Sequence, residues 1–505
     1  CPLAHGFYDR LPAARAAAAQ AGWLQPAALR SVALAHGVCP YYLGHEMVRW
    51  ADVVVGDYNY YFDRSAMLYA MTVQMGWRVA VLVDEAHNLY ARACSMYSAD
   101  LTHAEALAVR PLVTPAIRGR LDALLNQWQF LLAGDAGDGG PPPWELLDTL
   151  PEDWVRALQK LNTAIAEHLN DHPTDAHGAL LPFYFRTLGF AALAEALADH
   201  SLCELDRLAN PVPDSGAAAP AQAVIDAPLQ PDDWGAGRLA LRNVVPAPFL
   251  ASRIAAADTL VLFSATLYPQ DYDHNLLGLP DSTRHIDVPT PFAPAQLAVR
   301  VVPVSTQRGR RAGTLDTLVD AMARQFARQP GNYLAFFSSF DYLAMARDRL
   351  AQRHPHIPVW QQSRRMDEPG RQVFLDSFVE TGQGIGFAVL GGVFGEGVDL
   401  PGRRLVGAFI ATLGLPQFDR VNAAVCARME ARFGRGHDYT YVYPGIQKVV
   451  QAAGRVVRTE TDTGTVLLMD QRYREARYQT LLPAWWGAVG HLPLFDWGLE
   501  SATMD

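Results

Sequence analysis

Val79-Ala80-Val81-Leu82-Val83-Asp84-Glu85-Ala86-His87 is an apolar run closed by two adjacent acids and a histidine. Unbroken apolarity predicts a fully buried strand of a parallel sheet, because a half-exposed strand would alternate. Such a strand delivers Asp84 and Glu85 to the carboxyl edge of its sheet, where open α/β folds hold nucleotides. One acid there can hold Mg²⁺, directly or through water, and its neighbour can polarise the water that attacks a γ-phosphate.

Working outward, the pattern predicts an α/β protein built in pieces. Residues 1–50 carry Cys1, Cys39 and helical patches. Residues 51–62 begin as a short buried strand (Val53-Val54-Val55) and end in an aromatic cluster. From about 103 to 208 apolar residues recur at three- and four-residue spacings, as in Leu121, Leu124, Leu125, Trp128, Leu131 and Leu132, which predicts an all-helical insertion. Gly134 to Pro143 and Pro211 to Pro220 read as loops. Strand character returns at 239–245 and 259–263, before Ser264-Ala265-Thr266. After Pro291, strands are expected at 298–304, 333–337, 385–390, 405–411, 439–443 and 464–469, with helices between them, hence a second parallel sheet.

Composition narrows the class. At 505 residues the chain exceeds the ~250–300 at which a single core stops growing. Half the residues are hydrophobic, yet no apolar run reaches the ~18–20 residues of a membrane span. Five scattered cysteines do not make a disulfide framework and fit a reducing compartment. A net charge of −10 argues against a globally basic nucleic-acid coat but leaves room for a local arginine-lined groove. Of 42 basic residues only Lys160 and Lys448 are lysines, and neither follows a glycine-rich turn, so the sequence contains no phosphate-binding P-loop.

Four segments stand in order: Asp84-Glu85-Ala86-His87, Ser264-Ala265-Thr266, the run from Gly391 through Glu396 to Asp399, and Gln451-Ala452-Ala453-Gly454-Arg455-Val456-Val457-Arg458. In this order they resemble motifs II, III, V and VI of superfamily 2 helicases. Cys39-Pro40-Tyr41-Tyr42, Tyr58, Tyr60, Thr290-Pro291-Phe292 and Phe336 to Leu343 further resemble the XPD/DinG family of iron–sulfur DNA helicases. The resemblance runs from residue 1 to about 475.

It implies two RecA-like parallel-sheet motor domains, the first incomplete, with a helical Arch insertion and an iron–sulfur domain remnant. The boundaries are 1–50 for the remnant, 51–102 and 236–290 for motor domain 1, 103–235 for the Arch and 291–505 for motor domain 2. By the same resemblance Cys1 and Cys39 are the third and fourth ligands of a [4Fe–4S] cluster. The other two ligands and the P-loop are expected upstream of residue 1, the chain being read as N-terminally truncated. Two cysteines do not hold such a cluster, which takes four.

The resemblance also implies roles. Asp84 holds Mg²⁺ and Glu85 orients or deprotonates the attacking water. Arg455 and Arg458, three apart and so on one face if helical, reach the γ-phosphate from the second motor domain. Gln451 sits one turn earlier on that helix near the nucleotide, and His87 bridges to it. Glu396 and Asp399, on a glycine-rich turn, contact nucleotide and DNA. Ser264 and Thr266 couple nucleotide state to DNA grip. Arg308, Arg310 and Arg311, with Tyr41, Tyr42, Tyr58, Tyr60 and Tyr61, offer the charge and stacking faces of a single-strand channel.

The expectation is an ATP-dependent DNA helicase moving 5′ to 3′ in repair or replication. It uses ATP and Mg²⁺, binds single-stranded or forked DNA and no membrane, and acts in the cytoplasm as a monomer. Two other readings stay open: a nucleic-acid-stimulated ATPase acting on RNA, and a non-enzymatic DNA-binding remnant, since the P-loop is absent from these residues.

Overall fold

The computed structural model describes residues 2–134, 140–172, 178–207, 237–395, 398–487 and 489–491. The chain divides into two units, residues 1–61 with 65–70, and residues 62–64 with 71–505.

The smaller unit is built on α1 (Phe7–Gln20), α2 (Pro26–Ala35) and α3 (Pro40–Met47). Pro26 and Pro40 open the second and third helices, where a missing N–H costs nothing. Ala14, Ala18, Ala33, Val38, Leu43 and Met47 form the core, and the small side chains let the helices approach closely. Arg10 donates to the carbonyl of Gly37 at 2.8 Å, and Arg15 pairs with Glu46 at 3.0 Å. The strand expected at 51–62 does not form. Val53 and Val55 are 76% and 86% exposed, and the segment ends in a short helix, α4 (Asn59–Phe62). No described strand lies in this unit for it to pair with, and an unpaired strand leaves its backbone polar groups to water. The helix α5 (Met67–Met75) begins in this unit and ends in the larger one.

The larger unit opens with β1 (Ala80–Val83), the strand that carries the two acids, followed by α6 (Leu89–Met96). An insertion then runs through β2 (Ala99–Thr102), α7 (His103–Val109), α8 (Pro115–Ala133), β3 (Trp144–Leu147), α9 (Glu152–Asp171), α10 (Leu180–Glu195), β4 (Ser201–Asp206) and β5 (Arg238–Asn243). It is therefore not all-helical. Its strands form an antiparallel sheet in the order β2-β5-β4-β3. Its helices pack through Trp128, Trp154 and Phe190, whose rings meet edge-on at 5.5 and 5.4 Å. Buried Arg207 closes the end of α8 by donating to the carbonyls of Leu131 and Leu132, which no further turn satisfies.

The chain returns through α11 (Ala247–Ala256) to β6 (Thr259–Leu262), which pairs in parallel with β1, Ala80 opposite Thr259 and Val83 opposite Leu262. This two-stranded sheet is not the fully buried one that the apolar run predicts. Leu82 is 68% exposed, and Val261 and Phe263 are more than two-fifths exposed, although parallel strands are ordinarily covered on both faces. Then come α12 (Gln270–Leu277), β7 (Leu297–Val301), α13 (Arg311–Arg328), β8 (Asn332–Phe337), α14 (Phe340–Arg353), β9 (Val359–Gln361), α15 (Glu368–Asp376), β10 (Gly384–Val389), β11 (Gly407–Ala411), α16 (Arg420–Phe433), α17 (Tyr443–Ala453), β12 (Gly464–Leu468), α18 (Ala476–Gln479) and β13 (Gly490–His491).

The strands from β7 onward make one parallel sheet in the order β13-β7-β12-β11-β8-β10-β9. Because side chains alternate across a strand, each central strand feeds two cores. Leu334, Phe336, Ala408, Ile410, Val466 and Leu468 face one of them. Tyr333, Ala335, Phe337, Phe409, Ala411 and Leu467 face the other. Burial on both faces explains why these strands read as continuous apolar runs. The stretch 439–443, expected as a strand, is instead a π-helical turn, Asp438–Val442. No helix among the described residues is long and apolar enough to cross a membrane.

Candidate active site between the two lobes

Asp84 and Glu85 follow β1 directly and both are exposed. Glu85 is the one described non-glycine residue with positive φ, at 47° and ψ 44°. A left-handed L-residue costs about 1–2 kcal/mol, and such strain concentrates at functional sites. The bend is held by its neighbours: the Glu85 amide donates to the Asp84 carboxylate at 2.8 Å, and the Ala86 amide to the Phe263 carbonyl at 3.1 Å. Strand pairing thus continues past β1 and locks the acid turn to the end of β6.

That pairing brings Ser264 to His87, whose Nδ1 lies 2.7 Å from the serine hydroxyl. The same imidazole nitrogen is 3.4 Å from the Glu85 carboxylate. Ser264 also accepts from the Thr266 amide at 3.2 Å. Thr266 then meets the second lobe: Gln447 donates to its carbonyl at 3.1 Å and Gln451 to its hydroxyl at 3.4 Å. The expected His87–Gln451 bridge is therefore indirect and runs through Ser264 and Thr266. Gln447, which contacts the first lobe as closely as Gln451 does, carries no signal in the sequence beyond its position one turn earlier.

The arginines depart from expectation in one respect. The helix α17 stops at Ala453, so Gln451 is helical but Arg455 and Arg458 follow the helix and do not share a helical face. Gly454, a poor helix former, caps the end, and the Asp462 carboxylate captures the Arg458 and Thr459 amides at 2.8 and 2.9 Å. Both arginines turn onto the glycine-rich segment. Arg455 donates to the carbonyls of Gly395 and Val398 at 3.4 and 3.2 Å. Arg458 pairs with Asp399 at 3.2 Å. Glu396, expected beside Asp399 as a nucleotide contact, lies outside the described residues. Gly391 opens this segment at φ 76°, with Lys448 of α17 packed against it, so a side chain there would be both strained and crowded.

At the carboxyl edge of the second sheet the three expected basic residues divide. Arg308 and Arg310 are exposed. Arg311 is partly buried: it donates to the Thr306 carbonyl at 3.0 Å and the Ser338 hydroxyl at 2.8 Å, and lies over the Tyr342 ring at 4.4 Å. Burial lowers its pKa below the usual guanidinium value. Of the tyrosines, Tyr41, Tyr42 and Tyr60 are exposed, whereas Tyr61 is 7% exposed and packs on Tyr69, leaving it no face for a base.

Among the described residues the cysteines form no group that would hold an iron–sulfur cluster. Cys1 lies outside the described residues and Cys39 stands at the start of α3. Burial pushes the Cys94 and Cys203 thiols up to about 12, opposite to the thiolates that iron requires. Among the described residues no group of three or more His, Cys, Asp or Glu side chains is placed to hold a metal. Mg²⁺ asks less, since one or two carboxylates with substrate phosphates suffice, and exposed Asp84 beside Glu85 meets that need.

The fold is that of two RecA-like lobes, with a DEAH turn on the first and two arginines after the last long helix of the second. Family models agree: residues 6–106 match DEAD_2 and residues 322–489 match the helicase C-terminal domain. The chain is 21% identical to an ATP-dependent DNA helicase, chl1, of Aspergillus clavatus, over 89% of this chain and 68% of that protein. It is 28% identical to an ATP-dependent helicase, DinG, of Mycobacterium tuberculosis, over 54% of this chain and 41% of the relative. A probable ATP-dependent helicase of Methanocaldococcus jannaschii is 30% identical over 29% of this chain and 24% of its own length. The chain thus spans from about a quarter to about two thirds of these relatives. A solved XPD helicase superposes over 92% of this chain and 77% of its own, with TM-score 0.55 and 16% identity, and Xpd4 of S. tokodaii gives TM-score 0.51 with 15% identity over 82% of this chain and 76% of its own. The chain belongs to the XPD/DinG family of superfamily 2 helicases.

Proposed function

We propose that this chain comes from an ATP-dependent DNA helicase that moves 5′ to 3′ on single strands in repair or replication, acting in the cytoplasm as a monomer. The observation that carries the reading is the polar line His87–Ser264–Thr266–Gln451, which ties the acid turn of one lobe to the helix preceding the arginines of the other. Domain limits of 1–50, 51–102 with 236–290, 103–235 and 291–505 belong to the same reading.

In this reading Asp84 would hold Mg²⁺, which would supply positive charge to offset the negative charge of the phosphates. Glu85, held in its strained turn, orients the attacking water and accepts its proton. Arg455 and Arg458 leave the glycine-rich segment as the lobes close and place guanidinium donors on the charge that builds at the γ-phosphate. Asp399, freed of Arg458, is left to receive the nucleotide's polar groups. Hydrolysis reverses the exchange, and Ser264 and Thr266 pass the change to the DNA-gripping face. Exposed Arg308 and Arg310 supply charge for the strand backbone, and Tyr41, Tyr42 and Tyr60 supply stacking faces. No step is routed through an iron–sulfur cluster.

The test uses the full-length natural protein. ATP hydrolysis stimulated by single-stranded DNA, and displacement of a strand from a duplex with a 5′ overhang, are expected. Displacement only from RNA duplexes would favour an RNA-directed motor, and DNA binding without hydrolysis would favour a non-enzymatic role.

A further inference from the structure

One feature of the inter-lobe contact lies outside the four motifs. Tyr272, on α12 of the first lobe, is 2% exposed and meets three other tyrosines edge-on or nearly so. Tyr90 on α6 is 6.0 Å away, Tyr439 is 5.1 Å away and Tyr443 is 5.5 Å away. Tyr90 stands three residues after His87, on the helix that follows the acid turn. Tyr439 and Tyr443 belong to the helical stretch 436–453 that ends at the arginine segment. Tyr272 therefore touches both the element that follows the acids and the element that leads to the arginines.

The backbone explains how two tyrosines reach it. Pro444 lies inside this helical stretch, where it has no N–H to donate and its ring crowds the carbonyl four residues back. The helix accommodates it by widening into the π turn Asp438–Val442, a form that recurs at functional sites. Tyr439 and Tyr443 then stand 5.7 Å apart around Tyr272. The Tyr439 hydroxyl adds direction to the packing: it accepts from Asn275 at 2.8 Å and donates to the Asp271 carbonyl at 3.4 Å, both on α12. Arg435 pairs with the Asp271 carboxylate at 2.6 Å. The helix is thus anchored to the first lobe at two points, Tyr439 near its start and Gln447 near its middle, and its arginine end follows from them. From Tyr439 to Ala453 the helix runs about 20 Å at ~1.5 Å per residue, so a small tilt at the tyrosines is carried to the arginines.

We propose that Tyr272, Tyr439 and Asn275 form a joint that fixes how closely Arg455 and Arg458 can approach the acid turn, so that they are positioning residues for hydrolysis rather than packing alone. The proposal rests on the hydrolytic role given above to the two arginines. Misplacing a reacting group by about 1 Å can cost ~100-fold in rate, while nucleotide affinity, set largely by other contacts, is spared.

The experiment compares Tyr272→Leu, Tyr272→Phe, Tyr439→Phe and Asn275→Ala in the full-length protein. The expected result is a fall in kcat for ATP hydrolysis of at least about tenfold in Tyr272→Leu, with ATP affinity within about twofold of the parent. Tyr272→Phe, which keeps the ring, restores the rate, and Tyr439→Phe and Asn275→Ala fall between. A second readout needs no activity: cysteines placed at Thr266 and Gln447 are oxidised and their cross-link is quantified by peptide mass mapping. Its yield falls at least severalfold in the Tyr272→Leu background and recovers with Phe. An unchanged kcat in Tyr272→Leu, equal losses of kcat and affinity, or an unchanged cross-link yield would each overturn the joint. If the parent itself hydrolyses no ATP, the proposed function fails, and the cross-link yield alone decides the joint.

Discussion

Nδ1 of His87 lies 2.7 Å from the hydroxyl of Ser264, a residue 177 positions further along the chain. The insertion separates the two in sequence, and the parallel pairing of β1 with β6 reunites them. This pair joins the acid turn to the Ser264–Thr266 segment, which Gln447 and Gln451 contact from the second lobe.

Ser264→Ala removes the partner of both His87 and the Thr266 amide. Stability should fall by about 1 kcal/mol, the usual net worth of such bonds. ATP binding should persist while DNA no longer stimulates hydrolysis. Comparing ATPase rates with and without single-stranded DNA checks this, and full stimulation in the variant would remove Ser264 from the coupling path.

Glu85→Gly should separate stability from function. Glycine adopts φ 47° without strain, so thermal unfolding should be unchanged or shifted upward by the equivalent of about 1 kcal/mol. Hydrolysis should nevertheless drop by at least ~100-fold, as expected for loss of a general base. Glu85→Gln should abolish hydrolysis equally without the stability gain. A Tm lowered in the glycine variant would contradict the strained turn.

Asp273 predicts a pH dependence of stability. It is 5% exposed on α12, and burial raises its carboxyl from 3.8 to about 7. In the unfolded chain the group ionises near its ordinary value, so between roughly pH 4 and pH 7 unfolding releases a proton. Its contribution is thus fully present below about pH 4, is lost as pH rises toward 7, and is flat above. The total is on the order of 4 kcal/mol at ~1.4 kcal/mol per pH unit. Asp273→Asn should flatten this limb and stabilise the protein at pH 8, as chemical denaturation at a series of pH values would show. An unaltered slope would clear Asp273 of the effect.

Gly414→Ala tests how α17 is seated. Gly414 follows β11 with φ 71°, and a Cβ there would lie 2.5 Å from the Gly445 carbonyl of α17. Strain and overpacking together should cost at least ~2 kcal/mol and push the helix away from the sheet. The expected outcome is a lower Tm together with weakened Thr266–Gln447 proximity, read by cross-linking. A neutral substitution would mean that the close approach of helix and strand is not needed.

The second sheet was the most legible part of the fold, because strands buried on both faces, such as Asn332–Phe337, leave uninterrupted apolar runs. The same rule misread Val53 to Val55, whose apolarity signals a strand only if a partner strand stands beside it. Tyr439 to Tyr443 misled for another reason. Alternating aromatic and β-branched residues favour a strand locally, but Pro444 and the packing on Tyr272 impose a π turn. The order of the motif segments was legible. Their connection was not, since nothing local announces that His87 reaches Gln451 through Ser264 and Thr266, or that Gly454 ends the helix before the arginines.

The central claim is that one triphosphate is held between Asp84 and Glu85 on one side and Arg455 and Arg458 on the other. The most direct measurement is a structure of the full-length protein with Mg²⁺ and a planar fluoride mimic of the transferring phosphate. The account predicts the metal on Asp84, both guanidinium groups on the mimic, and Arg458 released from Asp399. A nucleotide bound elsewhere, or arginines still seated on the glycine-rich segment around an ordered mimic, would contradict it.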